Sequence, residues 1–304
     1  MEGTIITKKE SINRVSLSQR LKGYTRRPLS AVLLLATLVA ATITLGAVFV
    51  LLSNIFTRGI PVIFSTPELF AWEFHSSNLS MMPAIITTLI MIVLTLIIAA
   101  PVGIASAVYL VEYAKKGNKL VKIIRLTTET LAGIPSIVFG LFGFIVFVNM
   151  MSLGYSIIGG AFTLSIMILP IIVRTTEEAL IAFPDLYREG SYGLGAGKIR
   201  TIFRIVLPGA VPGILAGVIL SIGRISGETA ALIFTAGSST GLPDGLTSSA
   251  RTLSVHLFAL VSNPQAPLDM FFDAAYATAT VLVFTVVGVN MLSNYIAKKF
   301  NVKN

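Results

Sequence analysis

Apolar residues run along this chain in long blocks separated by short polar stretches. After Pro28 one block extends over roughly Leu29–Phe56, and others occupy about 84–111, 129–150, 156–181, 208–236 and 271–296. Each matches or exceeds the ~20 residues an α-helix needs to cross a hydrocarbon core. The pattern therefore predicts an all-α, polytopic membrane protein with six spans. Residues 1–28 are polar and basic, and the first apolar block is too long for the core of a signal peptide, so an uncleaved basic tail is expected there. The expected layout is a tail at 1–28, one six-span domain at 29–298 and a short tail at 299–304. A polar loop at about 182–207 separates spans four and five.

The breaks in the pattern add detail. Thr66-Pro67-Glu68 has the form of a helix start, with a capping residue, a proline at the first helical position and an acid in the first turn. With Phe70, Trp72 and Phe74 it is expected at a membrane interface. Between spans five and six, the apolar patch Leu253–Val261 is too short to cross and is expected as a re-entrant or surface helix. Span five carries Gly209, Gly213 and Gly217 at four-residue intervals, then Gly223 and Gly227 at the same spacing. Such stripes allow close helix approach. Pro101, Pro135, Pro170 and Pro212 interrupt their spans. There is no repeat of fixed period.

Composition agrees: 54% of the 304 residues are hydrophobic and 12% charged, with mean hydropathy +0.85. The net charge of +9 would suit nucleic acid, but its placement does not. With a cytoplasmic N-terminus, nineteen of the 23 Lys and Arg fall in inside segments, as the positive-inside rule requires. Both termini are then cytoplasmic. The chain has no cysteine, which removes disulfide and thiolate-metal chemistry. His75 and His256 lack metal-ligand spacing and are expected to be exposed.

The loop between spans four and five has its own pattern. Glu189 is followed six residues later by Gly195, Ile205 comes ten further on, and the stretch closes on Leu207-Pro208. Residues 185–193 suit a short helix, with Tyr187 and Tyr192 among polar neighbours. Gly193, Gly195 and Gly197 break it before a second helical piece from Lys198. The spacing resembles the E-A-A loop of ABC-importer permeases, with Gly190 and Ser191 in place of the two alanines. That resemblance implies a surface docked on an ATPase subunit through Tyr187, Glu189, Tyr192, Gly195, Leu207 and Pro208. The alternative is an amphipathic connector on lipid headgroups.

Charge inside the spans carries the candidate chemistry. Arg174, Glu177 and Glu178 lie in span four, and Arg224 and Glu228 in span five. An Arg or Asp at a span centre costs roughly 2.5–3.5 kcal/mol on insertion scales, so each calls for a partner or a pathway. Arg224 and Glu228 are one helical turn apart and are expected on one face. Arg174 has the same relation to Glu177 and Glu178. A guanidinium offers parallel donors to a tetrahedral oxyanion. A nearby glutamate would temper its field and could accept a hydrogen bond from protonated phosphate, which sulfate cannot give at neutral pH. Internal ion pairs that hold the bundle together are the competing reading.

Four stretches extend the resemblance: residues 83–113, GIPSIVFGLFG at 133–143, LPIIVRTTEEAL at 169–180 and RISGETAALIFTAG at 224–237. Over about Ala84 to Lys298 they are similar to the phosphate (Pst) ABC-importer permeases, the last favouring the A-type subunit. The resemblance implies a type I permease bundle in the cytoplasmic (inner) membrane, with Arg174, Glu177, Arg224 and Glu228 in the phosphate pathway. Implied partners are a homologous C-type permease, two ATPase subunits, an external phosphate-binding protein and membrane lipid. No cofactor is expected in this chain; ATP and magnesium would sit on the ATPase. GLGAGKI at 193–199 does not complete a nucleotide-binding loop, since Tyr192 and Ile199 stand at its two ends. The sequence leaves open sulfate or molybdate as cargo, an ion-gradient-driven transporter, and a signalling scaffold.

Overall fold

The computed structural model describes residues 28–75, 78–115, 117–262 and 268–301. The expected tail at 1–28 lies, but for Pro28, outside the described residues, as do the last three positions of the expected C-terminal tail. Among the described residues the structure is helical, without strands. Five helices are long and apolar enough to cross a membrane, or six if one bent pair counts as a single span.

Helix α1 covers Pro28–Ser65, longer than the expected Leu29–Phe56. The chain divides into two compact units, Met1–Asn54 and Ile55–Asn304. In the first, leucine, valine and phenylalanine side chains from Leu29 to Leu51 stand exposed, as hydrocarbon-facing residues do. In the second, the end of α1 packs on α11 (Leu268–Asn301). A side chain at Gly59 would collide with Thr280 and the Tyr276 backbone, and the Thr280 hydroxyl donates to the Ile55 carbonyl at 3.2 Å.

Pro67–Phe70 forms a 3₁₀ turn. The proline takes the first position as expected, but Thr66 makes no side-chain cap. Helix α2 is Met82–Val108 and continues into a π-helical turn, Tyr109–Tyr113. The expected continuous span at 129–150 is corrected. Helix α3 (Lys119–Ala132) and helix α4 (Ser136–Gly143, then a π-helical run to Met150) meet at 103°. The cause is Gly133-Ile134-Pro135, where proline lacks an N–H and drives the preceding residue out of the helical region.

Helix α5 (Ile157–Ala182) is the centre of the second unit, with 67% of its most apolar stretch buried. Ser156 caps it, accepting from the Gly159 N–H at 3.2 Å. It packs on α2 and α8 (Leu207–Gly227). Side chains at Gly209, Gly213 and Gly217 would strike Phe183, Ala179 and Thr175, whereas Gly223 and Gly227 face open space. The first three glycines of the expected stripe therefore make the α5–α8 contact.

Span five is also broken. Helix α6 (Asp185–Gly193) and helix α7 (Lys198–Thr201) precede it, and α7 runs through a π-helical turn into α8. Helix α8 ends at Gly227, Glu228 is extended (φ −74°, ψ 123°), and α9 resumes at Ala230–Thr235. Helix α10 (Leu253–Val261) is packed in rather than lying on the surface, with Leu253, Ser254, Val255, His256 and Leu260 buried. His256 is fully buried, against the expectation of exposure; His75 remains exposed.

Candidate functional site

The loop between α5 and α8 is a helix, a glycine corner and a second helix. Gly195 adopts φ +80°, a left-handed conformation open to glycine, and so turns α6 back toward α7. Across the corner the buried Ser191 and Thr201 hydroxyls lie 2.8 Å apart, tying the two limbs together. Leu186, Tyr187, Tyr192, Leu194, Ile199 and Phe203 are exposed on it, as is Glu189. Leu207 and Pro208 lie within the unbroken helical run Lys198–Gly227. Pro208 comes just after the π-helical turn Ile202–Val206, where the regular hydrogen-bond register is already interrupted.

Arg188, which motif spacing had not singled out, anchors this knob. It donates to Glu112 at the end of α2, to Asp185, and to the Leu180 and Phe183 carbonyls. No local spacing could have found its partner, which is 76 residues away in sequence.

The intramembrane charges follow the expected helical spacing in one pair only. Arg174 pairs with Glu178, Nε to Oε1 at 3.0 Å, on an exposed face. Glu177 instead meets Arg125 of α3 at 2.5 Å. These residues, with Glu129, Thr128 and Thr175, line a cavity of about 450 Å³. Two guanidinium groups there face three carboxylates, so the cavity is net acidic.

Arg224 and Glu228 do not share a helical face, because the helix ends between them. Arg224 is half-buried, and among the described residues no hydrogen bond or ion pair engages its side chain. Glu228 is buried. Its carboxylate accepts from the Ala231 N–H at 3.2 Å, at the start of α9, and its carbonyl accepts from the Ser254 hydroxyl at 2.7 Å. At the same end of the bundle Arg251 lies over the Phe74 ring at 4.5 Å, and burial pushes its pKa down to about 10. Burial, reinforced by Arg251 and only partly opposed by the Leu79 backbone, pushes His256 down to about 3, and among the described residues neither ring nitrogen completes a well-formed hydrogen bond. Among the described residues no group of three or more His, Asp or Glu could hold a metal ion.

A family profile described as "Binding-protein-dependent transport system inner membrane component" matches residues 99–302. The chain belongs to this family. The permease is accordingly a multi-pass inner-membrane transport subunit and not an enzyme. It is 36% identical to the probable ABC transporter permease protein YqgI of Bacillus subtilis, over 67% of this chain and 72% of that one. It is 35% identical to the phosphate transport system permease protein PstA of Mycobacterium leprae, over 79% of each. A solved bacterial alginate ABC transporter, in complex with an alginate-bound periplasmic protein, shares the permease's fold at TM-score 0.64 and 18% identity. That match covers 91% of this chain and 96% of the other.

Proposed function

We propose that this permease is the A-type membrane subunit of an ATP-driven phosphate importer. The observation that carries the reading is the 35% identity to a phosphate transport permease across 79% of both chains. Arg224, a half-buried guanidinium that pairs with nothing among the described residues, supports it. A homologous permease completes the pathway, and an external phosphate-binding protein delivers cargo to the end formed by the α1–α2 and α9–α10 connections. Of two cytoplasmic ATPase subunits, which hold ATP and magnesium, one docks on the exposed surface of α6 and α7 that carries Tyr187, Glu189 and Tyr192. Both termini are then cytoplasmic.

Arg224 is the principal anion-binding group of this chain. Its fork offers two donors to a tetrahedral oxyanion, and the half-buried setting strengthens them relative to water. Glu228, held at the helix break four residues further on, accepts from the protonated oxygen of the cargo. Arg174 and Glu177 line the inner mouth, where net acidity weakens anion binding and favours release.

Co-purification from the native membrane tests this reading. An ATPase and a second permease should accompany the chain, and phosphate with its binding protein should stimulate hydrolysis in vesicles. Stimulation by sulfate or molybdate in preference to phosphate would overturn the substrate, and uptake by this chain alone without ATP would overturn the machine.

A further inference from the structure

The knob touches a span to which it has no direct chain connection. Arg188 Nη2 and Nε lie 3.0 and 3.1 Å from the same Glu112 oxygen, and the two side chains are only 12% and 7% exposed. The same guanidinium donates to the carbonyls of Leu180 at 2.7 Å and Phe183 at 2.8 Å, and to Asp185 at 2.8 Å. Leu180 supplies one of the last carbonyls of α5, which no intrahelical N–H can reach. One planar group thus holds together the end of α5, the start of α6 and the π-helical turn that ends α2. The second limb reaches the same turn: Lys198, the first residue of α7, places its ammonium 4.7 Å from the centre of the Tyr113 ring.

Charge-assisted hydrogen bonds of this kind are short and strong. Removing one partner leaves the other charge stranded in a poorly hydrated place, so the bonds resist parting. Helix α2 in turn lies tight on α5, since a side chain at Gly103 would strike Ile172. We propose that Glu112 and Arg188 form a joint that passes movement of the α6–α7 knob to α2, in addition to α5 and α8, which the loop joins covalently. Arg188 is a positioning residue here, and Glu112 is its anchor on the moving span. The proposal deepens the coupling reading above and rests on it.

Glu112→Gln in the assembled complex is the sharpest test, because it leaves the carbonyl and Asp185 contacts of Arg188 in place. In proteoliposomes the ATPase subunits should stay bound and hydrolyse ATP. Phosphate moved per ATP should fall about ten-fold, the scale of one lost charge-assisted hydrogen bond. Glu112→Asp should recover part of the loss. An unchanged transport-to-hydrolysis ratio, or loss of the ATPase from the complex, would overturn the joint.

A second arm uses the absence of native cysteine. Glu112→Cys with Arg188→Cys should be uncoupled until a short bifunctional thiol reagent links the pair, and coupled afterwards. Linkage that blocks transport would mean that the two ends part during the cycle, against the proposal. To separate this from the identity of the cargo, Ala105→Cys on α2 reports movement without substrate. ATP should change its maleimide reactivity in the otherwise unaltered complex, and Glu112→Gln should abolish that change. If the complex carries no phosphate yet this response holds, the substrate reading fails and the joint stands; if ATP leaves Ala105→Cys unchanged in both, the joint fails.

Discussion

The Glu177 carboxylate lies 2.5 Å from Arg125 Nη2, bridging α5 to α3, while Arg174, three residues earlier in α5, turns to Glu178. Glu177 is thus held by a residue outside its own helix, 14% exposed against the 48% of Arg125. In a double-mutant cycle, Glu177→Gln and Arg125→Gln should couple by about 1 kcal/mol, between a surface and a buried pair. Thermal unfolding in detergent measures it, and strict additivity would show that the contact contributes nothing.

Arg224→Gln should abolish phosphate uptake while the complex still assembles. With no partner among the described residues to strand, the change costs little stability, so uptake and melting temperature should separate. Uptake that persists in an assembled complex would remove Arg224 from the pathway.

Gly195 provides a conformational test. Nothing lies within 4 Å of a Cβ built there, so the φ of +80° alone sets the cost. Gly195→Val should strain the corner by about 1–2 kcal/mol and loosen ATPase coupling, with Gly195→Asn milder. Equal coupling in Gly195→Val and the parent would dismiss the corner as a pivot.

The glycines of α8 should divide into two groups. Gly217→Ala forces Thr175 aside and should destabilise by about 1–3 kcal/mol, as overpacking does. Gly223→Ala meets nothing and should be neutral or gain about 0.5–1 kcal/mol in helix propensity. Melting temperatures of the two variants give the comparison.

His256 predicts an acid dependence. Its pKa is depressed from 6.5 to about 3 in the folded chain, so the unfolded chain binds the extra proton between those values. The stability that the neutral ring retains is intact above pH 6.5 and is lost as pH falls toward 3, by up to about 1.4 kcal/mol per pH unit. His256→Gln should flatten that part of the pH–stability curve, and an unaltered curve would contradict the assignment.

Much of this protein is written in local pattern. Length and continuity of apolar runs suffice to predict helices in a bilayer, because hydrocarbon leaves backbone groups no other partner. The spacing Glu189, Gly195, Leu207-Pro208 likewise announced a helix, a corner and a second helix, since a left-handed glycine acts on its own neighbours. Tertiary structure alone decided who meets whom. The break at Glu228 and the burial of His256 depend on which helices close around those segments. Glu177 found Arg125, and Arg188 found Glu112, across distances at which sequence periodicity carries no information. Helical spacing places two charges on one face only while the helix continues, and ion pairing follows proximity in space.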